Sequence, residues 1–144
     1  VEEDAELILT RQGRLLTSVV GACGPFPNHK MRWLNAESLS APQKQIAASY
    51  YLAMMTASCL NLIKAQGDII VEGPLAENNF YLQMLSAATG RAIKFSRYIG
   101  TGTTLGAAHL ASSRTTAGVY RNFTFAADGK AEIYATAWFK EVDC

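Results

Sequence analysis

The stretch "IIVEGPLAENNFYLQMLSAATG", residues 69–90, decides how the rest of the chain is interpreted. An apolar, β-branched run ends at Gly73 and Pro74, and two amide side chains, Asn78 and Asn79, follow before a helical pattern begins. The pattern predicts a buried strand, a tight turn and a helix closed by a glycine. In α/β sheets, ligands bind beyond the carboxyl ends of strands, where helix N-termini present free N–H groups. This corner is therefore the candidate binding site.

The composition is that of a single globular domain. Of 144 residues, 49% are hydrophobic and 17% are charged, and the formal net charge is +1. Such a chain can form a packed core, and it has no basic block that would favour nucleic acid.

Cys23, Cys59 and Cys144 lack the spacing of a metal site, and we expect reduced thiols in a cytoplasmic protein, with Cys59 in the core. Residues 46–63 are uncharged, but Ser, Thr and Asn interrupt them, which favours a buried helix over a membrane span.

The first part of the chain predicts a hairpin followed by a long helix. Residues 5–20 contain two β-capable runs around a Gly-containing turn, so residues 1–39 are interpreted as an antiparallel hairpin and a loop. Ser40 and Gln43 have the spacing of a capping box and mark the start of a helix that we expect to end at Gly67.

The remainder alternates between strand and helix patterns. Residues 40–112 predict helix, strand, helix, strand and helix, and residues 113–144 predict a tail and a C-terminal helix, with residues 119–125 either strand or loop. One face of the last helix is expected to contain Ile133, Tyr134, Ala137, Trp138 and Val142. The order predicts one α/β domain over residues 1–144, with a mixed sheet and packed helices.

Each residue at the predicted crevice allows two interpretations. Asn78 and Asn79 suit the edge of a heterocycle such as adenine, or one caps the helix and the other faces water. Gly73 permits close approach of a ligand, or only a tight turn. Glu72 is placed to contact a ligand or to make a structural hydrogen bond. "GTGTTLG", residues 100–106, lacks the full spacing of a phosphate-binding loop.

Neither a catalytic residue nor a metal-ligand set can be assigned from the sequence. His29 and His109 each stand alone, and His109 is expected to be structural. Triads of the Ser/His/Asp or Cys/His type cannot be assembled from the residue spacing.

Three segments resemble the FGGY carbohydrate kinases. "DIIVEGPLAENNFYLQMLSAATGRAIKF", residues 68–95, is similar to the adenosine-motif segment of that family, and the positions that fall on its pattern are Glu72, Gly73, Asn78, Asn79, Phe80 and Gln83. "GTGTTLGAAHLA", residues 100–111, and "IYATAWFKEV", residues 133–142, are similar to the family's next helix and its C-terminal ending. Pro74 departs from the pattern, because most members have a second glycine there and proline removes an N–H group.

The resemblance implies a fold and a function. It implies part of the C-terminal, ATP-binding lobe of a sugar kinase, with a ribonuclease H-like (actin-like ATPase) fold. The complete enzyme would use ATP and Mg²⁺ to phosphorylate a hydroxyl of a ketose or polyol. Asn78 would approach the adenine, and Gly73 with Pro74 would form the turn beneath it.

The resemblance also implies partners. The catalytic base, the metal-associated acid and the first phosphate turn of the family are not recognisable in these residues, so the 144 residues alone are expected to be inactive. The expected partners are the N-terminal lobe, ATP or ADP, the sugar and a second copy of the chain, the last through uncovered apolar surface and the edge hairpin. The alternative is a non-catalytic scaffold module with an actin-like fold, which Pro74 favours.

Overall fold

The structure is a computed structural model that describes residues 2–96, 102–112, 120–124 and 129–143. The helices in this part of the chain are α1 (Glu2–Arg11), α2 (Ala41–Leu62), α3 (Asn79–Thr89), α4 (Gly102–Ser112) and α5 (Lys130–Val142). The strands are β1 (Arg14–Leu16), β2 (Arg32–Leu34), β3 (Ile69–Val71), β4 (Ile93–Phe95) and β5 (Arg121–Asn122), and a 3₁₀ turn, Pro74–Glu77, precedes α3. The predicted mixed α/β class is confirmed.

The strands form two small sheets. β1 pairs with β2 antiparallel, and the second sheet has the order β3-β4-β5. β3 and β4 run parallel, with α3 as the crossover between them, and β5 pairs antiparallel with β4. The parallel pair places the carboxyl end of β3 directly before the 3₁₀ turn and the N-terminus of α3. The sheet thus holds the candidate corner at one end.

The hairpin predicted over residues 5–20 is corrected. Residues 2–11 form α1, and the antiparallel partner of β1 is β2, which lies in the segment predicted to be a loop. The β-branched run was misleading because Ala5, Ile8 and Leu9 have helical spacing and are buried together. Acidic residues in the first turn and Arg11 in the last turn also complement the helix dipole. Antiparallel pairing near the N-terminus is present, but between other residues.

α2 begins as predicted and ends early. The Ser40 side chain accepts from the Gln43 backbone N–H, and the Gln43 side chain accepts from the Ser40 N–H, which completes the capping box. The helix ends at Leu62 rather than at Gly67, because Lys64 takes a left-handed conformation with φ of 53° and Ala65 N–H bonds to the Leu60 carbonyl. The end of the helix is thus set by a lysine in the conformation that usually selects glycine.

The core lies where α2 packs on α3 and where α5 packs on α3 and α1. Cys59, expected in the core, is exposed instead, because the buried stripe of α2 passes through Tyr50, Met54, Ala57 and Ser58. In the described residues, the structure contains no helix long and apolar enough to cross a membrane.

α5 buries most of the predicted face but exposes Ile133. Tyr134, Trp138 and Val142 are buried as expected, together with Ala131 and Ala135, whereas Ile133 is 64% exposed. Two hydrogen bonds to the β1 segment fix this rotation: Tyr134 donates its hydroxyl to the Gly13 carbonyl at 2.9 Å, and Trp138 donates its indole N–H to the Leu15 carbonyl at 2.8 Å.

Candidate functional site

The corner between β3 and α3 depends on Gly73. Its backbone has φ of 75° and ψ of −160°, a region that is essentially restricted to glycine. A Cβ atom at this position would meet no described atom within 4 Å, so the space above it is open. Pro74 follows as the first residue of the 3₁₀ turn, where an N–H group is not needed for the turn. The sharp turn is therefore a backbone property, and the space beside it is accessible.

We expect Gly73→Ala to lower the free energy of unfolding by about 1–3 kcal/mol, through backbone strain alone. Urea denaturation followed by circular dichroism measures the effect. Gly106→Ala is the matched control, because Gly106 lies within α4 with no described atom within 4 Å of an added Cβ. The control is expected to be neutral or stabilising by up to about 1 kcal/mol. Equal stability of Gly73→Ala and wild type would show that the turn does not require glycine.

Asn78 joins the corner to two helices. Its side-chain oxygen accepts from the Tyr81 backbone N–H at 3.0 Å, which caps α3. Its Nδ2 donates to the Ser49 hydroxyl of α2 at 2.9 Å. Further along α2, Thr56 accepts a hydrogen bond from the hydroxyl of the buried Tyr81 at 3.1 Å. Asn78 is therefore the helix cap, and a second amide hydrogen and a second lone pair remain available to a ligand.

A cleft of about 1130 Å³ opens beside this corner, between α1, the start of α2, the start of α3 and the residues directly after β5. Its amide and hydroxyl side chains are Gln45, Ser49, Asn78, Asn79, Gln83 and Thr124, and its larger apolar side chains are Leu9, Ile46, Phe80 and Phe123. The cleft thus combines neutral polar groups with aromatic surface, as ligand pockets commonly do.

Acidic side chains, most of them on α1, also line the cleft. Glu2, Asp4 and Glu6 of α1 and Glu77 of the 3₁₀ turn line it, and the described lining contains no Lys or Arg. Asp4 accepts from the Gln43 side chain at 2.8 Å, and Glu6 pairs with Lys130 at 2.6 Å. Phosphate groups would be repelled from this part of the cleft, so it suits the neutral or amino-bearing part of a ligand.

Glu72, at the end of β3, makes a structural hydrogen bond. The Tyr120 hydroxyl donates to the Glu72 carboxylate at 3.1 Å. The accepting carboxylate and its negative charge raise the pKa of Tyr120 above the usual range for tyrosine. Glu72 thus links the corner to the segment before β5.

The helix predicted after residue 100 is present as α4. Thr103, Thr104 and Gly106 are exposed, and His109 is half-buried. The start of the Gly-rich stretch, residues 100 and 101, lies outside the described residues. Among the residues that the structure describes, no group of three or more His, Cys, Asp or Glu side chains is placed to hold a metal ion.

The fold is shared with a solved crystal structure. The lobe has the architecture of a carbohydrate kinase from Novosphingobium aromaticivorans, whose crystal structure matches with a TM-score of 0.83 at 23% sequence identity. The match covers 98% of this chain and 30% of that chain, so the chain spans less than a third of its structural neighbour.

The family follows from the sequence match. A family model described as carbohydrate kinase FGGY, C-terminal domain, matches residues 1–119, and the chain belongs to this family. The curated proteins compared with the chain gave no match. The resemblance is confirmed. The match includes the segments 68–95 and 100–111, and it also includes residues 1–39, which carried little of that resemblance.

The structure brings the sequence-predicted residues together and adds others. Gly73, Pro74 and Asn78 form the corner, and Asn78 and Asn79 line the cleft. That α1 lines the cleft was not predicted from the sequence, because the residues of α1 were assigned to a hairpin. The position of Gln83 in the cleft could have been predicted, because it lies four residues after Asn79 and therefore shares its helix face.

Proposed function

We propose that the chain is the nucleotide-binding part of an ATP-dependent sugar kinase that phosphorylates a hydroxyl of a ketose or polyol. The observation that supports this most is the glycine-dependent corner, whose Asn78 lines a cleft together with neighbouring amides. Gly73 and Pro74 would lie beneath the adenine, and the exposed Pro74 ring offers an apolar surface against which the base can pack. Membership of the FGGY family supports ATP as the phosphoryl donor.

The lobe is proposed to have a ribonuclease H-like (actin-like) fold and to act in the cytoplasm together with an N-terminal lobe. Phosphoryl transfer depends on positioning and on neutralising the charge of the transferred group. The described residues provide neither a metal-binding cluster nor a cationic lining in the cleft. We therefore propose that Mg²⁺, the catalytic base and most sugar contacts belong to the complete enzyme, and that the 144 residues alone transfer no phosphoryl group.

We expect Asn78→Ala to weaken ATP binding by about 1–3 kcal/mol, because an amide partner of the base is lost. The measurement is calorimetric titration with ATP in the complete kinase. The same variant should lose about 1 kcal/mol of folding stability with the helix cap.

Asn78→Asp separates these two effects. Aspartate caps a helix as well as asparagine does, and its carboxylate can accept from the Ser49 hydroxyl in place of the present bond, but it cannot donate the amide hydrogens. We expect its folding stability to remain close to wild type while its ATP affinity falls. Unchanged ATP affinity in both variants would remove Asn78 from the site, and absence of ATP binding by the wild-type kinase would contradict the proposed function.

The second candidate function is a scaffold module that keeps the architecture without binding nucleotide. It is favoured by Pro74, by the structural hydrogen bonds of Asn78 and by the acidic wall of the cleft. A complete protein that binds sugar or a protein partner but gives no heat on ATP titration would support this candidate over the first.

Self-association is also proposed, but through a different edge from the one predicted. The hairpin expected to offer an open edge is absent, whereas β3 pairs on one side with β4 and bears Ile70, which is 53% exposed. Leu62 and Ile63 at the end of α2 and Leu110 of α4 are also exposed. Open strand edges and apolar patches recruit partners. Light scattering that gives a monomer mass at every concentration would contradict this proposal.

A further inference from the structure

β5 is a two-residue strand at one edge of its sheet, where it pairs with β4. Phe123 and Thr124 follow it directly and line the cleft. The Phe123 N–H donates to the Ile93 carbonyl at 2.9 Å, and the Phe123 ring meets that of Phe95 edge-on with centroids 6.3 Å apart. Residues 120–124, the β5 segment, are exposed apart from the half-buried Phe123. Short pairings with exposed backbone open locally at a small cost in free energy, so the β5 segment can detach without global unfolding.

A side-chain hydrogen bond fastens the start of the β5 segment to the corner. In the register of the sheet, Val71 of β3 faces Phe95 of β4, which in turn faces Arg121 of β5. Glu72 and Tyr120 are the next positions on the two outer strands, two strand spacings or roughly 10 Å apart. The Tyr120 side chain crosses the end of β4, and its hydroxyl donates to the Glu72 carboxylate at 3.1 Å. A hydrogen bond to a charged acceptor is stronger than one between neutral groups.

We propose that the β5 segment is a movable side of the cleft and that the hydrogen bond from Tyr120 to Glu72 is the latch that holds it closed. Glu72 directly follows β3, which is held by its parallel pairing with β4 and by two side chains in the core. When the latch opens, the attachments of the β5 segment that the structure describes are its pairing with β4 and the packing of Phe123. The segment then detaches more often, and each detachment withdraws Phe123 and Thr124 from the cleft. The latch thereby controls access whichever ligand the cleft takes.

The test is amide hydrogen exchange of the ¹⁵N-labelled chain, followed by NMR under conditions in which the rate reports the population of the open state. The N–H of Phe123, which donates to Ile93, reports on the β5 segment. The N–H of Ile69, which donates to the Ala92 carbonyl at 3.0 Å, reports on the pairing of β3 with β4. We expect Tyr120→Phe to speed exchange at Phe123 by about three- to tenfold, because the hydroxyl donor is lost, and to leave exchange at Ile69 unchanged.

Variants at Glu72 show whether Tyr120 acts through this carboxylate. Glu72→Ala removes the acceptor and should also speed exchange at Phe123, whereas Glu72→Gln keeps a side-chain oxygen and should lie between Glu72→Ala and wild type. Adding Tyr120→Phe to Glu72→Ala should cause no further change, because the bond is already absent. Arg121→Lys, at an exposed residue of β5 beside Tyr120, is the matched control and should exchange as wild type does.

Three results would overturn the latch. The first is equal exchange at Phe123 in Tyr120→Phe and wild type. The second is an equal acceleration at Phe123 and Ile69, which would show that the variant loosens the whole sheet and that the β5 segment does not move by itself. The third is faster exchange when Tyr120→Phe is added to Glu72→Ala, which would show that Tyr120 acts through another group.

Discussion

Replacing Trp138 with alanine is expected to lower the free energy of unfolding by about 3–5 kcal/mol, the largest effect we expect for one substitution in this chain. The side chain is fully buried, and its indole N–H donates to the Leu15 carbonyl at 2.8 Å. Its ring meets those of Phe26, Tyr51 and Phe139 edge-on, with centroids 5.7–6.5 Å apart. The substitution leaves a cavity where α5 meets β1 and α2, and it leaves a carbonyl without its donor.

Chemical denaturation followed by circular dichroism measures this loss. Ile133→Ala on the same helix is the matched control, and because Ile133 is largely exposed its effect should be within about 0.5 kcal/mol. Trp138→Phe should lie between the two, since it keeps part of the ring packing and loses the N–H donor. A larger loss from Ile133→Ala than from Trp138→Ala would show that Ile133, and not Trp138, faces the core.

The chain is expected to lose stability steeply above about pH 10, the usual pKa of tyrosine. Burial raises the pKa values of Tyr134 and Tyr81 in the folded chain. Above the unfolded pKa, the unfolded state has released protons that the folded state retains. Stability is therefore fully present below about pH 10 and falls as pH rises, by up to about 1.4 kcal/mol per pH unit for each buried tyrosine.

Tyr134→Phe tests this dependence in two ways. Near neutral pH the variant should be less stable by about 1–2 kcal/mol, because the Gly13 carbonyl loses its hydroxyl donor. Above about pH 10 its stability should fall less steeply than that of wild type, so the two curves should converge within about one to two pH units. Urea denaturation of both proteins at neutral and alkaline pH measures the stability difference and the dependence of stability on pH. Parallel curves at alkaline pH would show that Tyr134 ionises as readily in the folded chain as in the unfolded one.

The elements that the sequence predicted correctly are those governed by local rules. The capping box at Ser40, the left-handed Gly90 that ends α3 and the parallel strands on either side of α3 all follow from neighbouring residues. The family resemblance added the class of protein, which local patterns do not provide.

The incorrect predictions concern features that are decided by contacts between residues distant in sequence. The run "AELILT", residues 5–10, is compatible with strand and helix, and the burial of Ile8 against other elements decides for helix. The orientation of α5 depends on two carbonyl acceptors in the β1 segment, far away in sequence. At the site, the helix-capping role of Asn78 was a local possibility, but its bond to Ser49 joins positions that only the fold brings together.

The hydrogen bonds from Asn78 to Ser49 and from Tyr81 to Thr56 have a consequence for ligand affinity. They fasten α2 to α3 at two points that are seven residues apart on α2, hence about two helical turns, beside the cleft. The spacing between α2 and α3 is therefore fixed before a ligand enters the cleft, so the protein loses little conformational entropy when the ligand binds. Such preorganisation lets a small number of contacts hold a small ligand.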